Sequence, residues 1–103
     1  MTGRLATNDF AAAATDYSIY TVPTGKVASF TVCMTNRTTN TVTVRIALTD
    51  TGTIGSDEFI AYEVPIYPGE VYERSGLVLN AGFSVFARAS TTGVNVVIYG
   101  YEE

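Results

Sequence analysis

The sequence predicts one all-β domain, a single β-sandwich of about seven to eight strands in a jelly-roll or immunoglobulin-like order. Short runs in which apolar and polar residues alternate at a period of two indicate strands with one buried face. Clusters of Gly, Pro, Asn and Asp separate these runs at short, regular intervals. A chain of 103 residues, of which 47% are apolar and 16% are charged, suits one domain around one core.

Residues 1–16 lack this alternation. The stretch from Asp9 to Ala14 has helical propensity but is too short to hold a helix alone. We therefore interpret 1–16 as an extended N-terminal arm and 17–103 as the β-sandwich domain, and we expect the sandwich to fold without the arm. About sixteen extended residues span at most about 55 Å, which would let the arm reach a neighbouring molecule.

From Tyr17 onward, apolar positions recur at every second residue. The predicted strands cover residues 17–22, 27–36, 41–49, 59–66, 71–79, 83–89 and 94–101. The second and third of them flank a short polar turn and are predicted to pair as a hairpin. Pro65 places its strand at a sheet edge or at a strand end. Ser75 and Gly76 interrupt the next strand, which indicates a bulge or a crossing between sheets.

The charge pattern argues against several classes of partner. The chain has a net charge of −4 with only 6 Lys and Arg residues, which are scattered, so we predict no nucleic-acid binding. No apolar run approaches the ~18 residues that cross a bilayer, so we predict no membrane contact. The first residues do not form a secretory signal, and the single cysteine, Cys33, suits folding in a reducing cytoplasm.

The sequence offers little catalytic chemistry. It contains no histidine and one cysteine, which excludes histidine-based catalytic triads and clustered Cys–His zinc sites. We therefore predict that the protein is not an enzyme and has no cofactor and no metal site. Loop 50–58 carries acidic residues without the dense ladder of a calcium loop, so ion binding there stays open. Arg45 is expected to form a cross-strand ion pair with Glu63 or Glu73.

Aromatic residues indicate a surface that binds protein. The chain has 7 Tyr, 5 Phe and no Trp, and so many tyrosines cannot all lie deep in so small a core. Both faces of the last strand are apolar, with Tyr99 and Tyr101 on one face and Ile98 on the other. Tyrosine is enriched in protein interfaces, although an ordinary amphipathic rim would use it too. The candidate interface residues are Arg4, Leu5, Phe10, Tyr17, Phe86, Tyr99 and Tyr101.

A family resemblance extends over nearly the whole chain. The segments that carry it are residues 3–6, 19–27, 36–37, 42–48, 73–82, 85–90 and 96–103. Together they resemble a family of short virion structural proteins of tailed phages, cyanophages among them. The likeness is one of strands and turns and includes no catalytic motif.

This resemblance implies a structural component of a phage particle. Small β-sandwich proteins of that class often act as capsid decoration or cement proteins, commonly as trimers or dimers on the shell. The first hypothesis is a cement protein on the outer capsid surface, made in the host cytoplasm, that binds the major capsid protein. We expect a homo-oligomer, with a trimer favoured over a dimer. The alternatives are a tail, baseplate or fibre component and, from another class, a carbohydrate-binding module for host attachment.

Overall fold

The computed structural model describes residues 2–103 as a two-layered β structure. The strands are β1 (Thr2–Asp9), β2 (Tyr17–Thr21), β3 (Val27–Asn36), β4 (Val42–Thr49), β5 (Phe59–Ile66), β6 (Val71–Asn80), β7 (Ser84–Ala89) and β8 (Val94–Glu102). No helix in this part of the chain is long and apolar enough to cross a membrane.

The strands form two four-stranded antiparallel sheets that pack face to face. Sheet I has the order β1-β8-β3-β6, and sheet II has the order β2-β7-β4-β5. Successive strands lie in opposite sheets except β4 and β5, which pair directly in sheet II. This is the strand order of the eight-stranded jelly roll, so the structure selects it over the immunoglobulin-like order. The predicted all-β sandwich is confirmed.

The core lies between the sheets and is built from every second residue of their strands. Large side chains that are 3% exposed or less include Phe30 and Met34 from β3, Val44 and Ile46 from β4, and Ile98 from β8. Burying such a side chain contributes about 1.5–3 kcal/mol. The period-two pattern of β3, β4 and β8 therefore supplies much of the free energy that holds the two sheets together.

Strand β1 corrects the prediction for residues 1–16. Thr2–Asp9 is extended as expected, but it pairs with β8 along the edge of sheet I instead of projecting from the domain. The next residue, Phe10, is 1% exposed, and its amide donates to the Val94 carbonyl at 3.0 Å. The predicted boundary at residue 16 therefore separates no structural units. The sequence does not predict β1 because the apolar and polar residues of this edge strand do not alternate regularly. Its pairing with β8 also shifts register at Leu5.

The predicted hairpin of β3 and β4 is wrong, because β3 lies in sheet I and β4 lies in sheet II. The chain turns from one sheet to the other after Asn36, which is 0% exposed. Its Nδ2 donates to the carbonyl oxygens of Asn40 and Ile66, each at 2.8 Å, and its Oδ1 accepts from the amide and hydroxyl of Thr38. These bonds satisfy a buried amide that would otherwise destabilise the fold. Alternation identifies the buried face of a strand but does not identify its partner.

Two finer predictions are confirmed. β5, which contains Pro65, is an edge strand of sheet II. The register of β3 with β6 shifts between Phe30 and Val32, opposite Ser75 and Gly76, so the interruption is a bulge within sheet I. Gly76 has a φ of 74°, a conformation that glycine adopts without the strain that a Cβ would add.

Candidate functional site

The outer face of sheet I carries a cluster of exposed apolar residues. Of the seven large hydrophobic residues that are exposed between residues 2 and 103, five lie here, and we term them the tyrosine face: Val27, Val71, Val78, Tyr99 and Tyr101. Four of them lie at the end of the sheet that contains Ser29, whereas Val71 lies at the other end, opposite Thr35. Val78 is 62% exposed and Tyr101 is 46% exposed, and the register places them on either side of Ser29. Clustered exposed apolar residues often mark an interaction site, so this face is a candidate interface.

Tyr99 is held in place across the tyrosine face. Its hydroxyl donates to Oε2 of Glu73 at 2.9 Å, and because β3 lies between β8 and β6, the side chain spans β3. The hydrogen bond to Glu73, followed by desolvation, raises the pKa of the Tyr99 phenol above its ordinary value. The phenol therefore keeps its proton, and with it the hydrogen bond to Glu73, to a higher pH than an ordinary tyrosine does. A side chain oriented in this way loses less conformational entropy when a partner binds it.

A groove of about 260 Å³ lies beside the two tyrosines. It is lined by Ser29, Phe30, Thr31, Gly76, Tyr99, Gly100 and Tyr101. Gly100 is required for the close approach of β8 to β3. A Cβ at this position would collide with the carbonyl oxygen of Ser29 and would lie 2.7 Å from the Cα of Phe30. The groove therefore depends on a backbone contact that no larger residue permits.

The outer face of sheet II carries a charged recess of about 230 Å³, which we term the arginine pocket. It is lined by Ala14, Thr43, Arg45, Glu63, Arg88 and Ser90. Arg45 in β4 and Arg88 in β7 are direct cross-strand partners. Like charges in this arrangement repel each other, so acceptors nearby are needed to offset the repulsion.

Each guanidinium of the arginine pocket has such an acceptor. Arg45 Nη2 donates to Glu63 Oε1 at 2.7 Å, which confirms the predicted ion pair, and its Cζ lies 4.2 Å from the centre of the Tyr62 ring. Arg88 Nη2 donates to the carbonyl oxygen of Ala14 at 2.6 Å. The bond from Arg45 lowers the pKa of the Glu63 carboxyl. The ion pair therefore stabilises the fold at pH values above the ordinary glutamate pKa. This stabilisation is lost as the pH falls through the lowered pKa of Glu63.

Two residues of the arginine pocket have a strained backbone. Ala14 and Glu63 have φ values of 50° and 51°, and no other non-glycine residue between 2 and 103 has a positive φ. This conformation costs a residue with a Cβ roughly 1–2 kcal/mol. Such strain clusters at functional sites, where the surrounding structure maintains it. Here both strained residues accept a hydrogen bond from an arginine of the pocket.

Ala14→Gly is expected to raise the free energy of unfolding by about 0.5–1 kcal/mol. Glycine adopts the observed φ without a steric penalty, and the backbone bonds of residue 14 to Ala89 and Arg88 remain available. Urea unfolding measures the change. Ala12→Gly is the control, since Ala12 is exposed in the same segment and has no positive φ. If both variants lose stability equally, residue 14 is not strained.

The tyrosine face contains two of the predicted interface residues. Tyr99 and Tyr101 lie on it, as the alternation in β8 predicts, and the exposed residue Arg4 is the β1 partner of Tyr99. Sequence reasoning missed Val71 and Val78. The signal was present for Val78, which alternates with two buried leucines of β6 and therefore has to face outward.

The other candidate interface residues lie elsewhere. Leu5 and Tyr17 are half-buried and pack against the core of their own chain, and Phe86 is half-buried in β7 of sheet II. Phe10 is a core residue whose ring centroid lies 5.8 Å from that of Tyr17. Its assignment to an interface is wrong, because the segment that carries it folds into the sandwich and buries the ring.

The acidic loop and the cysteine show no distinct chemistry. Glu58 Oε1 accepts from the Gly55 amide at 2.7 Å, so this carboxylate closes its own loop. Between residues 2 and 103, no group of three or more His, Cys, Asp or Glu side chains is placed to hold a metal ion. Burial, followed by the charge of Glu73, raises the pKa of the half-buried Cys33 thiol, which disfavours the reactive thiolate.

Comparisons with family models, with curated proteins and with solved structures found no match. Function is therefore inferred from the chemistry of the two outer faces of the sandwich.

Proposed function

We propose that the protein is a structural component of a tailed-phage virion, a decoration or cement protein that binds the major capsid protein on the outer surface of the shell. The tyrosine face carries this proposal, because it exposes valines and tyrosines on one side of a four-stranded sheet. Tyrosine is enriched in protein interfaces, and clustered apolar residues need a partner to cover them. The assignment to a virion comes from the family resemblance that the sequence analysis proposes.

The architecture suits a protein that reinforces a shell. A cement protein has to hold neighbouring shell subunits together without deforming. Both sheets are fully antiparallel, and β1 is paired along its length with β8, so the body that carries the tyrosine face has no free arm between residues 2 and 9. Jelly rolls also form viral capsid domains.

Copy number and self-association would strengthen this binding. We propose a homo-oligomer, a trimer in preference to a dimer, so that several tyrosine faces act on the shell at once. Linked sites bind more tightly together than separately, which makes a modest interface per subunit sufficient. A protein that binds only the assembled shell shifts the equilibrium toward it and so stabilises it.

The double variant Tyr101→Ser with Val78→Thr is expected to lose at least about thirtyfold in affinity for the shell, because an aromatic anchor at an interface contributes roughly 2 kcal/mol or more. Both side chains are exposed, so the fold should be retained. Co-sedimentation with shells that lack the protein measures binding. Tyr67→Ser is the matched control, because Tyr67 is 56% exposed but lies in the turn between β5 and β6.

Two results would contradict this proposal. The first is that the double variant binds shells as well as the Tyr67→Ser control does. The second is that shells without the protein tolerate heat and salt as well as shells that carry it. Electron microscopy of particles that carry a labelled protein provides an independent check. A label on the tail or the fibres would support the alternative role as a tail, baseplate or fibre component.

The groove beside Tyr99 and Tyr101 favours a second candidate function, a carbohydrate-binding module for host attachment. Two exposed tyrosines offer faces for a sugar ring, and Ser29 and Thr31, which carry hydroxyl groups, line the same groove. Lectins also use the jelly-roll fold. A glycan array with the wild-type protein and Tyr101→Ser tests this role, and the absence of any binding to the array would remove it.

A further inference from the structure

We propose that the arginine pocket is a binding site for a small oxyanion, a phosphate or carboxylate group, on the side of the sandwich opposite the tyrosine face. This inference does not depend on the proposed role in a virion, because it concerns the other sheet and a different kind of ligand.

The charge of the lining favours an anion. Arg45 and Arg88 contribute two positive charges and Glu63 contributes one negative charge, so the lining residues are net positive in a chain whose net charge is −4. Asp16 lies outside the lining but forms an ion pair with Arg88, with its Oδ1 4.0 Å from Arg88 Nε, so an anion in the pocket would compete with it. Guanidinium groups bind carboxylates and phosphates through paired N–H donors.

The pocket also has donors in excess of acceptors. A guanidinium has five N–H donors, and the bonds to Glu63 and to the Ala14 carbonyl use one Nη2 of each arginine. The Nε of Arg45 is buried without a hydrogen-bond partner between residues 2 and 103. Ser90 Oγ accepts from the Thr43 amide at 3.0 Å, so its hydroxyl hydrogen is available to donate. An oxyanion in the recess supplies acceptors for the remaining Nη donors and for the Ser90 hydroxyl, whereas the buried Arg45 Nε is out of its reach.

The geometry is suited to one small ion. The recess has a volume of about 230 Å³, which admits a single phosphate or carboxylate group and not a folded domain. Arg45 and Arg88 are opposite each other in the β4–β7 register, so both can reach the same ion. The strained residues Ala14 and Glu63 hold the two guanidiniums before any ligand arrives. Such pre-organisation reduces the entropy lost on binding.

Titration of the full-length, ¹⁵N-labelled protein with inorganic phosphate, and separately with acetate, tests this site. Ionic strength is held constant with sodium chloride, and the arginine side-chain N–H signals are followed by NMR. We expect saturable shifts at Arg45 and Arg88 with at least one of the two ions. Arg74, which is exposed and donates to the Ile60 carbonyl at 3.1 Å, provides the reference signal and should not shift.

Three variants separate a specific site from general attraction of anions. Arg88→Gln is expected to weaken binding at least tenfold, whereas Arg74→Gln should leave it unchanged. Glu63→Gln keeps an oxygen that can accept from Arg45 Nη2 and removes the only negative charge of the lining, so it should tighten binding about threefold. Unsaturable shifts with both ions, equal binding by Arg88→Gln and Arg74→Gln, or weaker binding by Glu63→Gln would each overturn the proposal.

Discussion

Phe10→Ala is expected to lower the free energy of unfolding by about 3–5 kcal/mol, the loss that follows truncation of a buried phenylalanine. Phe10 is 1% exposed and belongs to the same core cluster as Phe30, Met34 and Ile98. Alanine would leave a cavity that the two sheets cannot collapse around without breaking strand pairing. It would also remove the contact that ties the end of β1 to the core, so β1 should detach from β8 more readily.

Urea unfolding and hydrogen exchange at the β1 amides measure these effects. Phe86→Ala is the matched control, because Phe86 is only half-buried and lies outside the core cluster, so its truncation should cost clearly less. Deletion of residues 1–15 should likewise prevent stable folding, since it removes β1 and Phe10 together. A deletion product that folds with native stability would restore the original interpretation of these residues as an arm.

Gly100→Ala is expected to abolish stable folding or to cost at least about 4 kcal/mol, which only a severe steric or packing defect produces. The added Cβ would meet the carbonyl oxygen of Ser29 and the Cα of Phe30, both backbone atoms that cannot rotate away. The backbone at Gly100 also has a φ of 154°, which a residue with a Cβ rarely adopts. The affected pair, β3 and β8, forms the centre of sheet I.

The control for this substitution is Gly25→Ala. Gly25 has a φ of 79°, but a Cβ there would meet nothing within 4 Å, so the variant isolates backbone strain from collision. We expect it to lose roughly 1–2 kcal/mol. Circular dichroism and urea unfolding compare the two variants. Equal stability of Gly100→Ala and Gly25→Ala would mean that β8 and β3 are not as close as the structure places them.

For the two outer surfaces, the sequence predicts the direction of a side chain within one strand but not which strands lie side by side. Alternation in β8 places Tyr99 and Tyr101 on the face opposite Ile98, and the structure exposes both tyrosines. Of the arginine pocket, the sequence predicted only the ion pair of Arg45 with Glu63 or Glu73. Arg45 and Arg88 come from separate strands and meet only through the β4–β7 register. The left-handed backbone of Ala14 and Glu63 was equally hidden, because neither residue type favours it.

By itself the sequence determines that this protein is an all-β sandwich and places β2 to β8, because alternation and turn residues are local properties of the chain. It also places a bulge or sheet crossing at Ser75 and Gly76 and an edge or strand end at Pro65. Only the tertiary structure decides the jelly-roll order, the inclusion of β1 and Phe10, and the separation of β3 from β4. These features depend on contacts between residues far apart in the chain, and a period of two specifies which face is buried but not which strand covers it.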